Sequence, residues 1–115
     1  METVIQKAVR YRQIIQDILA RLAAIPNLEV GVDDRRLFDE CNDSYALIAE
    51  GWDGDERVHH VVAHLEIIDG KVWIQADNTD LVLARELESK GIPKSDIVLG
   101  FRSPEVRSQS EYAIA

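Results

Sequence analysis

The sequence predicts an α+β fold: an antiparallel β-meander of three or four strands, with a long N-terminal helix and a short helix from the second half of the chain packed on it. Three observations predict it. Apolar residues recur at three- and four-residue spacing through the first 25 positions, as one stripe of a helix requires. Alternating apolar and polar runs, separated by Asp-Gly and Asn-Asp, fill the middle of the chain, which is the pattern of strands and tight turns. A Gly-Ile-Pro stop closes a second helical stretch.

The first helix carries Val4, Ile5, Ala8, Tyr11, Ile15, Ile18, Leu19 and Leu22 on its stripe, and Pro26 stops it. Leu28 to Cys41 and Ser44 to Trp52 flank Asn42-Asp43 as a first hairpin. The run Asp33-Asp34-Arg35-Arg36 breaks the alternation, which leaves the register of that first strand open and suggests a bulge there. The turn Asp53-Gly54-Asp55-Glu56 leads into the next strand.

The best-defined hairpin runs from Val58 to Asp77 around Asp69-Gly70. Asp-Gly suits a two-residue type I′ turn, which fixes the pairing: Ile68 with Lys71, Ile67 with Val72, Leu65 with Ile74 and Ala63 with Ala76. Val61, Ala63, Leu65, Ile67, Val72, Ile74 and Ala76 then form an apolar core face, since a slip of one residue would expose all of it. The opposite face receives Val58, His60, Val62, His64, Glu66 and Ile68 with Lys71, Trp73, Gln75 and Asp77, and Tyr45, Leu47 and Ala49 are expected to join it. A half-apolar face of this kind is covered by a helix of its own chain or by another chain.

The second helix is expected from Asp80 to Lys90, capped by Thr79 or Asp80, with Gly91 at its end, Ile92 packing back on Leu87 and Pro93 blocking continuation. Ile97 to Phe101 reads as a short buried strand, and Ser103-Pro104-Glu105 as a helix start. No repeat, linker or low-complexity tract interrupts the chain, so residues 1–115 are expected to form one domain.

Net charge is −8, and its distribution is uneven. Residues 1–26 carry four bases against two acids, residues 27–60 three bases against ten acids, and residues 61–115 six bases against nine acids. Binding to a nucleic-acid backbone draws on Lys and Arg to neutralise phosphates, so the acidic middle argues against direct nucleic-acid binding. No apolar run reaches the ~20 residues that span a bilayer, no leader pattern is visible at the start, and the single cysteine, Cys41, cannot form an internal disulfide. A cytoplasmic protein without membrane association is expected.

His60 and His64 share a face of a straight strand but stand roughly 13 Å apart at ~3.3 Å per residue, too far for one zinc ion with bonds of about 2 Å; His59 points away. Cys41 sits among Asp39, Glu40 and Asp43, which disfavour a thiolate. Asp69-Gly70-Lys71 matches a fragment of a nuclease motif but straddles a turn. Asp53-Gly54-Asp55-Glu56 lacks the spacing of a calcium loop, and no glycine-rich phosphate loop is present. The residues thus predict no catalytic set, no metal site and no cofactor.

Six stretches stand out in order along the chain: Tyr11-Arg12-Gln13-Ile14-Ile15, Gly51-Trp52, Asp69 to Gln75, Gly91 to Leu99, Ser103 to Arg107, and the ending Tyr112-Ala113-Ile114-Ala115. In these stretches the chain resembles the XisI family, named for the factor controlling excision of the fdxN DNA element in filamentous nitrogen-fixing cyanobacteria. The stretches span nearly the whole chain. Arg102 stands where many members have His, and Asp77-Asn78-Thr79-Asp80 departs from the usual segment. The resemblance implies a regulatory controlling factor in DNA recombination, not an enzyme, that acts with an XisH-like, nuclease-fold partner.

Two functional readings follow. In the first, the second sheet face is a protein interface built on Tyr45, Leu47, Val62, His64, Trp73 and Gln75, used with the XisH-like partner or in a homodimer, because aromatic residues are enriched where interfaces are held together. In the second, Tyr45, His64, Trp73 and Gln75 line a pocket for a small molecule or a reaction.

Overall fold

The computed structural model describes residues 1–26 and 30–115. Helix α1 spans Val4–Ala24. Its N-terminus is closed by a capping box: the Thr3 hydroxyl accepts from the Gln6 amide at 3.1 Å while the Gln6 side chain accepts from the Thr3 amide at 2.9 Å. Tyr11, Ile15, Ile18 and Leu19 are buried. The stripe's first members are not: Val4 and Ile5 are 83% and 77% exposed, because the first turn runs past the sheet that α1 covers. The expected start of the first strand at Leu28 lies outside the described residues.

Five strands follow: β1 Val32–Asp39, β2 Ser44–Asp53, β3 Glu56–Ile68, β4 Lys71–Asp77 and β5 Ile97–Leu99. They lie side by side in sequence order. The first four form the expected meander, but the expectation of an all-antiparallel sheet of three or four strands is corrected. The segment at Ile97 joins as a fifth strand, parallel to β4 through Val72–Ile97, Trp73–Val98 and Ile74–Leu99. The intervening helix allows this, since a parallel neighbour needs a long crossover.

Each predicted turn is present. Asp69 and Gly70 take φ of 50° and 78°, as a type I′ turn demands, and Ile68–Lys71, Ile67–Val72 and Leu65–Ile74 pair as expected.

 

Beyond Leu65 the register slips. Gln75 is left over in β4, so that His64 pairs with Ala76 and Ala63 with Asp77. On its other side β3 slips again: Leu47 pairs with Ala63 but Ile48 with Val61, which leaves Val62 unpaired. These are β-bulges, which insert one residue and reverse the facing of everything beyond. They correct the expected facing of several residues. Ala63 does not pair with Ala76, Val61 and Ala76 leave the core face, and Val58, His60 and Asp77 leave the opposite one. The bulge suggested near Asp33–Arg36 is absent; β1 pairs with β2 without interruption from Val32–Gly51 to Asp39–Ser44. Gly51 has a specific role there, because a Cβ on it would lie 1.9 Å from the Gly31 carbonyl oxygen.

Helix α2 spans Leu83–Ser89, shorter than the expected Asp80 to Lys90, and its N-cap is Val82 without a side-chain cap. The cap expected from Thr79 or Asp80 comes from Asp77 instead, whose Oδ2 accepts from the Leu83 amide at 2.9 Å. Its Oδ1 accepts from the Thr79 amide and hydroxyl at 3.1 and 2.6 Å. The helix ends as predicted: the Gly91 amide donates to the Glu88 carbonyl at 3.0 Å and the Ile92 amide to the Leu87 carbonyl at 3.1 Å, the paired bonds of a Schellman motif. Helix α3, Pro104–Arg107, starts at Ser103, whose hydroxyl accepts from the Val106 amide.

The core lies between the sheet and the two helices α1 and α2. It gathers Tyr11, Ile15 and Leu19 with Tyr45, Leu47, Leu65 and Ile74, and with Leu83, Leu87, Ile92 and Ile97. The radius of gyration is 15.0 Å, above the roughly 13 Å of a compact chain this long. The molecule is elongated, 51 × 31 × 24 Å, and the end of the β2–β3 hairpin, Trp52 to Arg57, is exposed. No described helix is long and apolar enough to cross a membrane.

Candidate functional site

The sheet has two unlike faces. Cross-strand partners share a face, so Tyr45 beside Leu65, Leu47 beside Ala63, and Ile74 beside Leu65 all lie on the inner face, under α1 and α2. Tyr45 and Leu47 are fully buried there. Their expected place on the second face is therefore corrected: β2 enters the sheet one residue out of phase with that expectation, which puts Ser44, Ala46 and Ile48 outward instead. Val62 sits at the bulge and packs against the core. Of the six residues singled out, only His64, Trp73 and Gln75 share the outer face. Tyr45 thus cannot join them in one pocket.

Two polar clusters, which the sequence reading missed, fix α1 to the sheet. Arg12 Nε donates to Asp43 Oδ1 at 2.9 Å and to the Tyr45 hydroxyl at 3.1 Å, and that hydroxyl donates to Asp43 Oδ1 at 2.8 Å. Burial pushes the Asp43 carboxyl up, but hydrogen bonds from Arg12 and Tyr45 outweigh it and hold the group below the usual carboxylate range. Burial and the Asp43 carboxylate together push the Tyr45 phenol up to about 12. At the other cluster Tyr11 donates to Asp96 Oδ2 at 2.5 Å, and Lys7 Nζ lies 2.8 Å from the same oxygen. Burial again works upward on Asp96, yet bonds from Lys7 and Tyr11 leave it lowered. The adjacent pair Tyr11-Arg12 thereby anchors one helix turn to two distant segments. The signal for it was the Tyr-Arg pair itself, but its partners are 85 and 31 residues away. These are anchoring contacts: the phenols are protonated at neutral pH and the carboxylates are occupied.

The outer face divides into two parts. Over β4 it is covered by the chain's own C-terminal segment. The Arg107 guanidinium lies 5.1 Å from the Trp73 ring centroid, a cation–π distance. Gln75 Nε2 donates to Glu66 Oε1 at 3.1 Å, and its Oε1 lies so near Gly100 that a Cβ there would come within 2.5 Å. Over β1–β3 the face is open. Leu37 is 60% exposed, and Val61 and Trp52 are exposed too. Leu37, Ser44, Ala46, Ile48, Val61 and His64 line a depression of about 390 Å³. His64 Nε2 and Ser44 Oγ are 2.9 Å apart at its rim. Charged groups flank it: Glu50 lies 3.9 Å from Arg35 and 3.5 Å from Arg57, and Arg57 lies 5.5 Å from the Trp52 ring centroid.

The patch is apolar at its centre and charged at its rim. His60 lies beyond the bulge and so on the face opposite His64. Among the described residues no three His, Cys, Asp or Glu side chains are placed to hold a metal ion. Cys41 is exposed in the β1–β2 turn.

Known proteins were then compared with the chain. The family model described as XisI protein matches residues 5–114. A crystal structure of the fdxN element excision controlling factor XisI from Anabaena variabilis ATCC 29413 is 41% identical, with a TM-score of 0.82 over 95% of this chain and 99% of that one. A XisI-like protein from the same organism is 32% identical, with a TM-score of 0.89 over 94% of this chain and 99% of the other. A search of curated proteins finds no match. With the family model spanning nearly every residue and two solved relatives sharing the fold, the chain belongs to the XisI family.

Proposed function

We propose that this chain is a non-catalytic controlling factor for the excision of a DNA element, and that it works by binding an XisH-like, nuclease-fold protein through the outer face of β1–β3. The family and the relative named as an excision controlling factor support the process. The observation that carries the mode of action is the open apolar patch of Leu37, Ile48 and Val61, rimmed by Arg35, Glu50 and Arg57. An apolar centre loses water on contact, while the rim charges set orientation and encounter rate. Duplex DNA is a poor occupant, because the segment that builds this patch is the most acidic of the chain.

The test is reconstitution with the XisH-like protein of the same genome, followed by sedimentation. Leu37→Asp and Ile48→Asp should each abolish the complex, with the circular dichroism of the free chain unchanged. A complex that survives both variants, or no complex at any concentration, sinks the proposal. In an anisotropy titration the chain alone should bind duplex DNA no more tightly than the non-specific range of about 10⁻⁴ to 10⁻⁶ M.

A further inference from the structure

The strand β1 ends the sheet on one side. At the other end, beyond β5, the Ala113 amide donates to the Ile97 carbonyl at 2.9 Å, so the chain occupies that edge itself. From Asp34 to Phe38 the β1 edge carries no such guard among the described residues. The Trp52 amide donates to the Gly31 carbonyl at 3.2 Å. Carried along the unbroken β1–β2 register, the antiparallel alternation turns the backbone groups of Asp33, Arg35 and Leu37 toward β2 and those of Asp34, Arg36 and Phe38 out of the sheet. A row of outward N–H and C=O groups is a template for another strand.

The side chains on this edge complement one another under a two-fold axis. Asp34 and Arg36 both point to the inner face, since their partners are Ala49 and Leu47. If two copies of β1 pair antiparallel with Arg35 opposite Arg35 of the second copy, Asp34 of each faces Arg36 of the other, twice by symmetry. Both are outward-facing positions, so each pair also exchanges two backbone hydrogen bonds. Sliding the strands by two residues either way sets Asp34 against Asp34 or Arg36 against Arg36. Like charges directly opposite are unfavourable and unlike charges favourable, so the sequence selects one register. Arg35 meets its own copy across the axis on the outer face, where Glu50 lies 3.9 Å away in each chain as a counter-charge.

A second observation points the same way. Asp34 Oδ1 is buried and finds no hydrogen-bond donor among the described residues. A carboxylate oxygen withdrawn from water without a donor is unfavourable, and rotation about χ2 presents either oxygen to an incoming guanidinium. We infer that the chain forms a homodimer by antiparallel pairing of β1 with β1 of a second copy, joined by Asp34–Arg36 pairs into one continuous ten-stranded sheet. The site shares Arg35 with the rim of the outer-face patch but does not depend on the partner assigned to that patch. Pairing sets the two patches side by side on one surface.

Sedimentation equilibrium of the wild-type chain, Arg36→Asp, and the double variant Asp34→Arg with Arg36→Asp tests the inference. The wild type should be dimeric. Arg36→Asp should weaken association about tenfold or more, since it replaces both unlike pairs by like ones. The double variant restores unlike charges with reversed sign and should recover the dimer. Amide exchange supplies a readout free of substitutions: protection at Asp34 and Arg36 should rise with concentration, while that of Asp33, Arg35 and Leu37 stays constant. A monomeric wild type, a dimer indifferent to Arg36→Asp, or exchange at Asp34 and Arg36 that ignores concentration overturns the inference. A dimeric wild-type chain that forms no complex with the XisH-like protein would instead count against the outer-face proposal alone.

Discussion

Over β4 the outer sheet face is closed by residues that come after the sheet is complete: Arg107 stacks on Trp73, and Gln75 is held between Glu66 and Gly100. Over β1–β3 the same face meets solvent with Leu37, Val61 and Trp52 exposed. Both halves turn large apolar groups outward, Trp73 on β4 and Leu37, Ile48 and Val61 on β1–β3, so the difference is not local. It comes from how much helix the chain has left. Helices α1 and α2 are spent on the inner face, and α3, four residues long, can shield little more than one strand. What the chain cannot cover, it leaves for something else.

The comparison of faces can be broken most sharply with leucines. Leu47→Ala removes a fully buried side chain and should cost about 3 kcal/mol, whereas Leu37→Ala, on the exposed neighbour strand, should change stability by less than about 0.5 kcal/mol. Urea unfolding of both variants checks this, and equal costs would show that the faces have been assigned the wrong way round. Trp73→Ala loses a half-buried ring and its guanidinium contact, and is expected to cost about 2 kcal/mol. Trp52→Ala should be near neutral by the same assay.

Acid sharpens the contrast further. Asp43 and Asp96 titrate below the ordinary carboxylate range when folded. Their contribution to stability is therefore complete above the unfolded value of about 4 and is lost as pH falls through the lower folded values. Asp43→Asn and Asp96→Asn should each lower the melting temperature at pH 7 and flatten its decline in acid. A variant that declines as steeply as the wild type would show that its carboxylate is not the anchoring group. The smallest effect is spectroscopic: with Trp73 replaced by Phe, acrylamide should quench the remaining Trp52 strongly, and with Trp52 replaced by Phe it should quench Trp73 less.

Legibility of the fold follows the range of the forces that set it. Asp69-Gly70 specified its turn and the first rungs of the hairpin, and Gly91-Ile92 its helix end, because both are decided by a few neighbouring residues. The bulges at Val62 and Gln75 carry no such mark. The alternation of Val58, His60, Val62 and His64 runs unbroken through the position where the strand changes face, and only its competing registers with β2 and β4 force the extra residue. Family membership was legible in the order of short motifs along the chain. At the candidate site the same limit applies. His64, Trp73 and Gln75 were assigned to the outer face correctly, being close to the Asp69-Gly70 turn. Tyr45 and Leu47 were misplaced, because their phase depends on how β2 meets β3 across a bulge. Thr3-Val4-Ile5-Gln6 was readable as a capping box from its spacing alone and was passed over, whereas the capping of α2 by Asp77 from six residues upstream has no local signature.

The contact of Tyr11 with Asp96, 85 residues along the chain, also sets a schedule. Contacts this distant in sequence are slow to form, because the intervening chain must first be brought together. On the ribosome, α1 emerges long before the segment that anchors it. Its buried stripe has no complete surface to rest on until β4 is made, and Asp96 and Ile97 follow later still. The helix therefore waits through synthesis of most of the polypeptide with Tyr11, Ile15 and Leu19 uncovered, a period in which a chaperone or the ribosome surface is its nearest apolar shelter.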